Sequence, residues 1–168
     1  DSDADADADA DSDADADTSG NGYATRFWDC CKPHCSWSGN IPSGMRPLST
    51  CNQSNQSNGT NYDIASSCNG GAAYTCWNLA PWRVSDSMSY GFAATGSGDV
   101  CGKCYQITFT GAGHYDANEP GSRAISGKQM IVQAINIGYD VNNNQFDLLI
   151  PGGGVGAYNA CSTQWGIN

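Results

Sequence analysis

Apolar and polar positions alternate most regularly in the second half of the chain, with the two-residue period of β-strands. Cys104–Thr110 (CYQITFT) sets Tyr105, Ile107 and Phe109 on one face. Gln129–Ile137 (QMIVQAINI) is β-branched and lies between Gly127 and Gly138, while Gln145–Ile150 (QFDLLI) stops at Pro151 and a run of three glycines. Tyr90–Ala94 is a candidate fourth strand, and Ser85–Tyr90, just before Gly91, a candidate short helix. Residues 38–61, rich in Gly, Asn, Ser and Pro, read as loop. Nowhere do apolar residues keep a 3.6-residue period for about ten positions, which disfavours a doubly wound α/β fold. The pattern predicts an all-β domain. A small closed barrel is the preferred architecture, because closure removes the edges that short strands would otherwise expose.

Residues 1–20 also alternate, but Asp alternates with Ala or Ser. Nine Asp side chains on one face would repel one another, and Ala has little surface to bury. Residues 1–20 are therefore expected to form a disordered acidic tail or linker remnant, and 21–168 the folded domain, with order beginning near Tyr23. The tail holds nine of the seventeen acids, so the net charge of −10 shrinks to −1 over the remainder (eight acids, seven bases). No Lys/Arg cluster is present to neutralise phosphates, which argues against a nucleic-acid partner. No apolar run approaches the roughly 20 residues that cross a bilayer, which argues against a membrane-spanning helix.

Nine cysteines among 168 residues, with 21 glycines, point to a loop-rich domain stapled by disulfides in an oxidising compartment, hence to a secreted, extracellular protein. Three successive sequons in NQSNQSNGT mark Asn52, Asn55 and Asn58 as candidate glycosylation sites, with a low-complexity polar spacer as the plainer reading. Cys101 and Cys104 have the spacing of half a zinc knuckle. Only two histidines (His34, His114) accompany them, and adjacent cysteines such as Cys30 and Cys31 seldom ligate one ion together. Disulfides are preferred, and neither a metal nor another cofactor is expected. A Ser nucleophile lacks its GxSxG, and Gly152–Gly154 lack the Lys-Ser/Thr of a phosphate loop.

Carboxylates remain. Outside the tail there are eight, and most sit among Gly, Ser and Asn, where turns and caps account for them. Asp29 instead lies between Trp28 and Cys30, and Asp147 interrupts the apolar run Phe146–Ile150. An ionised group there is costly unless it faces a cleft or is hydrogen-bonded, and such surroundings raise a carboxyl towards the pKa that acid catalysis needs. A structural or edge-facing acid is the alternative for each. Five tryptophans (28, 37, 77, 82, 165) suit sugar faces beside carboxylates, although core packing is the plainer reading for Trp28 and Trp82.

The segment Thr25–Trp37, TRFWDCCKPHCSW, resembles the N-terminal signature of the glycoside hydrolase family 45 endoglucanases. Gly71–Trp82 (GAAYTCWNLAPW), Gly91–Thr95 (GFAAT), Cys101–Phe109 (CGKCYQITF) and Phe146–Gly156 (FDLLIPGGGVG) resemble further blocks of that family in the same order. The resemblance implies a six-stranded double-psi β-barrel with long disulfide-bonded loops, secreted and hydrolysing internal bonds of cellulose or related β-1,4-glucans with inversion. It implies Asp147 as general acid, Asp29 as general base and Asp140 as an assisting loop aspartate. Trp37 matches a groove tryptophan, and Thr25, Phe27, Ala94 and Gln145 match residues near the cleft. An inverting pair stands about 6.5–9.5 Å apart, leaving room for water. On this reading Asp147 is the acid of raised pKa and Asp29 the solvated base.

The same resemblance implies the pairs Cys30–Cys161, Cys31–Cys68, Cys35–Cys101 and Cys51–Cys76. It leaves Cys104 without a partner, because the family's partner lies in a C-terminal extension and this sequence stops at Asn168. A truncated or shortened member is expected, and a monomer; solubility is the plainer reading of the acidic tail, with the end of a linker to a carbohydrate-binding module as the alternative. Phe27 stands where the family usually has tyrosine, Gln145 where some members have histidine, and Gly111–Gly127 is longer than the corresponding turn. The rival reading is a non-hydrolytic, expansin-like glucan-binding protein. Against it stands Asp29 in its Cys-flanked block.

Overall fold

The computed structural model describes residues 19–98 and 100–166. Nearly all of the expected acidic tail lies outside the described residues. Among the described residues six strands form: β1 (Tyr23–Phe27), β2 (Trp82–Arg83), β3 (Met88–Thr95), β4 (Cys104–Thr108), β5 (Gln129–Ile137) and β6 (Gln145–Leu149). Two five-residue helices accompany them, α1 (Pro120–Ala124) and α2 (Cys161–Trp165). The alternation noted above falls on β4, β5 and β6, and Tyr90–Ala94 lies within β3. The helix expected over Ser85–Tyr90 is instead a turn entering β3. The Ser85 hydroxyl accepts from the backbone N–H groups of Ser87 (3.3 Å) and Met88 (3.1 Å), a local bond that competes with helix formation. Ser89 and Tyr90 then pair with Arg83 and Trp82.

The strand order is β1–β6–β3–β5–β4, with β2 added beside β3. The sheet ends at β1 and β4, which do not pair with each other. An all-β sheet with disulfide-bonded loops is therefore present, but the double-psi β-barrel expected above is not: the sheet is not closed. Tyr105 of β4 meets Phe146 of β6 edge-on, 4.9 Å between ring centroids, although β5 and β3 lie between those strands. At about 4.8 Å per strand a flat sheet would hold them about 14 Å apart, so the sheet rolls over its core. Beyond β4 the chain reaches β1, where His114 stacks on Tyr23 at 3.7 Å with 9° between the rings. Aromatic contact thus spans the two ends without backbone pairing.

Two buried clusters lie beneath. One, between β3, β5 and β6, gathers Ala93, Met130, Val132 and Leu148, with Tyr105, Ile107 and Phe146 packed against it. A Cβ at Gly91 would stand 2.3 Å from the Met130 methyl, so a larger residue there would require the flexible end of Met130 to move. The other gathers Trp28, Tyr74, Leu79 and Leu149 around the cystines. Disulfides Cys30–Cys161, Cys31–Cys68, Cys35–Cys101 and Cys51–Cys76 span Cα separations of 5.0 to 5.5 Å, the same pairing that the resemblance implies. Cys104 is exposed and unpaired. Among the described residues no helix is long and apolar enough to cross a membrane.

Candidate active site

Asp147 sits at the centre of β6. Its register partners are Thr25 on β1, in parallel, and Ala94 on β3, antiparallel. Laterally paired residues share a face of a sheet, so the three side chains are neighbours by construction. The Thr25 hydroxyl donates to Asp147 Oδ1 at 2.6 Å, and Gln145 Nε2 donates to Thr25 Oγ1 at 2.8 Å. The Tyr23 hydroxyl donates to Gln145 Oε1 at 2.9 Å. Asn142 donates from Nδ2 to the Tyr23 oxygen at 2.8 Å and to Gln145 Oε1 at 3.3 Å, and from its backbone N–H to Gln145 Oε1 at 3.0 Å. Ala94 is buried, 2% exposed, beside a bulge at which β5 supplies the additional residue Ile135.

Asp29 follows Trp28 just beyond the end of β1. Trp28 N–H donates to the Gly154 carbonyl, and the Asp29 carbonyl accepts from Ala160 N–H at 2.9 Å, so the segment after β6 folds back along it. Gly153 makes that approach, since a Cβ there would lie 2.7 Å from the Phe27 nitrogen. Cys30 has a left-handed backbone (φ 63°) and is pinned to Cys161, which turns the chain sharply at Asp29. Asp29 Oδ1 accepts from Cys31 N–H at 2.9 Å.

Burial pushes the Asp29 carboxyl up to about 6, against the opposing pull of the Cys31 and Asp29 N–H groups, and the charge of Asp147 pushes the same way. Burial also raises Asp147, opposed by the Thr25 hydroxyl and helped by the charge of Asp140. The solvated base expected from the sequence is thus corrected. Asp29 is desolvated by the cystine-rich segment wrapped around it, and the stronger effect falls there rather than on Asp147. Asp140 is exposed, on the loop joining β5 to β6.

Trp37 is half-buried. The Lys32 ammonium stands 3.2 Å from its ring centroid while donating to the carbonyls of Tyr62 (2.6 Å) and Ile64 (2.8 Å). Phe27 packs against the cystine-rich core. Trp28 is a core residue, 2% exposed, but Trp82 is 48% exposed, flanked by Tyr90 and Phe92, and so departs from the core reading. The sequon asparagines are tied into the fold. Asn52 Nδ2 donates to Gln56, Asn55 Oδ1 accepts from Trp77 N–H, and Asn58 Nδ2 donates to Thr50. Sequence reasoning missed Tyr23, Asn142 and Lys32. The first was within reach: Tyr23–Thr25–Phe27 alternates like Gln145–Asp147–Leu149, and placing those runs side by side sets Tyr23 against Gln145.

No hydrogen bond joins Asp29 to Asp147, yet each lies within the other's field or that of a third acid. Two carboxyls of raised proton affinity that are not bonded to each other can give a proton at one place and take one at another. Neither of two cavities, of about 200 Å³ beside Met88 and about 110 Å³ beside Met45, is lined by them.

Residues 21–168 match the model of glycosyl hydrolase family 45. Endoglucanase B of Cellvibrio japonicus (strain Ueda107) is 58% identical over 148 residues, covering 88% of this chain and 29% of that protein. An endoglucanase of Cryptopygus antarcticus is 44% identical over 153 residues, covering 88% of this chain and 62% of the other. The chain thus spans less than two thirds of these relatives. The crystal structure of a cellulase from that Antarctic springtail superposes with a TM-score of 0.72 at 42% identity, over 89% of this chain and 68% of the other.

Proposed function

The chain belongs to glycosyl hydrolase family 45, and on that premise we propose that it is an inverting endo-β-1,4-glucanase using Asp147 as general acid and Asp29 as general base. The observation that carries this reading is a pair of half-buried carboxyls, not hydrogen-bonded to each other, each raised by desolvation. In an inverting hydrolysis one carboxylic acid protonates the departing glycosidic oxygen while a carboxylate removes a proton from water on the opposite face of the sugar. Asp29 Oδ1 is occupied by Cys31 N–H, which leaves Oδ2 for that water. A base with a pKa of about 6 is ionised near neutrality and still has appreciable proton affinity. Asp147 meets the other requirement when a glucan covers it, because displacing water raises an already raised carboxyl further. Asp140 adds negative charge in the same sense.

Trp37, one face of which the Lys32 ammonium covers, supplies the other for a glucosyl ring, and Thr25 and Gln145 line the acid side. The matched relatives above carry endoglucanase names, which favours hydrolysis over the expansin-like alternative. Secretion fits the four disulfides. The test is proton NMR of cellohexaose hydrolysis, read at the anomeric signals from the earliest time points. New reducing ends should appear as the α-anomer, and Asp147→Asn should abolish them in a folded protein. Products appearing first as the β-anomer, or an active Asp147→Asn variant, would overturn the assignment.

A further inference from the structure

The hydrogen bonds on the acid side all run one way. Asn142 donates to Tyr23, Tyr23 to Gln145, Gln145 to Thr25, and Thr25 to Asp147 Oδ1. The Gln145 amide is fixed in orientation because its oxygen accepts both from Tyr23 and from Asn142 N–H. Its NH₂ group therefore faces Thr25, occupies a lone pair of that hydroxyl, and directs the single Thr25 hydrogen at the carboxyl. A carboxyl oxygen already accepting from Thr25 does not carry its own proton towards Thr25, so the protonated acid holds it on Oδ2. Tyr23 itself is held by the ring of His114, stacked 3.7 Å away. His114 belongs to the 111–127 segment noted above as longer than the family's turn.

We propose that this segment is a positioning device for the acid: His114 holds Tyr23, and Tyr23, through Gln145 and Thr25, keeps the proton of Asp147 on the oxygen not bonded to Thr25. The proposal rests on the reading of Asp147 as acid. Tyr23 and His114 are positioning residues and touch neither substrate nor the reacting atoms. Other charged groups near this relay are Asp140, whose charge acts on Asp147, Asp29 beyond the end of β1, and the exposed pair Arg26 and Glu119. None of them makes a hydrogen bond within the relay.

The experiment follows the Asp147 side-chain carboxyl by carbon-13 NMR against pH, alongside kcat and KM on a soluble glucan. Thr25→Val is the reference: it deletes the terminal bond and should raise the Asp147 midpoint by about one pH unit, the worth of a hydrogen bond to a charged group. Tyr23→Phe and His114→Ala should move the midpoint upward too and lower kcat by about fivefold, the equivalent of one neutral hydrogen bond, with KM unchanged. His114→Phe keeps a ring for Tyr23 to stack on and should restore both readings. A midpoint that moves in Thr25→Val but stays at the wild-type value in Tyr23→Phe and His114→Ala would overturn the proposal. Activity surviving in Asp147→Asn would instead remove the assignment of the acid, leaving the titration result to stand as a statement about the relay alone.

Discussion

The negative charge of Asp147 works against ionisation of Asp29, although no hydrogen bond joins the two carboxyls. Most of the upward push on Asp29 comes from burial, so the effect of Asp147 is an addition to it. In Asp147→Asn the titration midpoint of Asp29, followed by carbon-13 NMR, should therefore fall below the wild-type value of about 6 without returning to the ordinary carboxylate range. An unchanged midpoint would mean that the groups do not sense each other.

The base works only when ionised. As pH rises through about 6, the fraction of Asp29 able to accept a proton climbs, so kcat, which reports the glucan-bound enzyme, should climb with it. The descending limb at higher pH belongs to loss of the Asp147 proton, which the bound glucan holds more tightly than the free enzyme does. A profile of kcat at saturating soluble β-glucan checks this, and an ascending limb near the ordinary Asp range of about 4 would contradict the desolvation of Asp29.

The same carboxyl makes a claim on stability. Its folded pKa of about 6 exceeds the model value of 3.8, so between those values the folded state binds more protons than the unfolded chain. Stability then falls as pH rises from about 4 to 6, by on the order of 2 kcal/mol from this group. Asp29→Asn should lose activity yet gain stability at pH 7, with little change at pH 4. Urea midpoints at the two pH values measure the difference.

Lys32 lies under Trp37 and satisfies two carbonyls at once. Replacing it in Lys32→Met leaves the Tyr62 and Ile64 oxygens without that donor, a loss of about 1–3 kcal/mol in thermal or urea unfolding. If Trp37 carries a glucosyl ring, a loosened indole should raise KM several-fold while kcat stays near the wild-type value. A fall in kcat alone would place Lys32 in a different role.

Removing the Cys30–Cys161 bridge tests how firmly the base segment is held. Cys30→Ala with Cys161→Ala should cost about 2–5 kcal/mol in unfolding and lower kcat, since the turn at Asp29 is pinned there. Because Cys30 has φ 63°, Cys30→Gly with Cys161→Ala should be more stable than the alanine pair by about 1 kcal/mol.

How far the sequence could be read depended on how local each cause was. Strands β4 to β6 followed from two-residue alternation, and Asp147 drew notice because an acid interrupting FDLLI needs a reason. β1 carries a weaker signal: in YATRF two of five residues face solvent, and its partner lies 122 positions away. The desolvation of Asp29 was hidden for a related reason, as it depends on residues near 154 and 160 folding back over the end of β1. Trp82 was misplaced because β2 is only two residues long and leaves its indole half uncovered. Barrel closure was expected both because it removes strand edges and because the family resemblance implies it, but strand alternation carries no information about whether the last strand meets the first.

The parallel pairing of β1 with β6 has a consequence in time. During synthesis Thr25 emerges 122 positions ahead of Asp147, so a growing chain has no acid site until all of that intervening segment has been made. Contacts of such sequence separation form slowly, because closing a long loop costs entropy before any pairing rewards it. β6 must arrive between β1 and β3, which until then expose the edges it will cover. Chains interrupted before residue 145 would therefore present two open edges and no acid, and aggregation rather than partial activity is their expected fate.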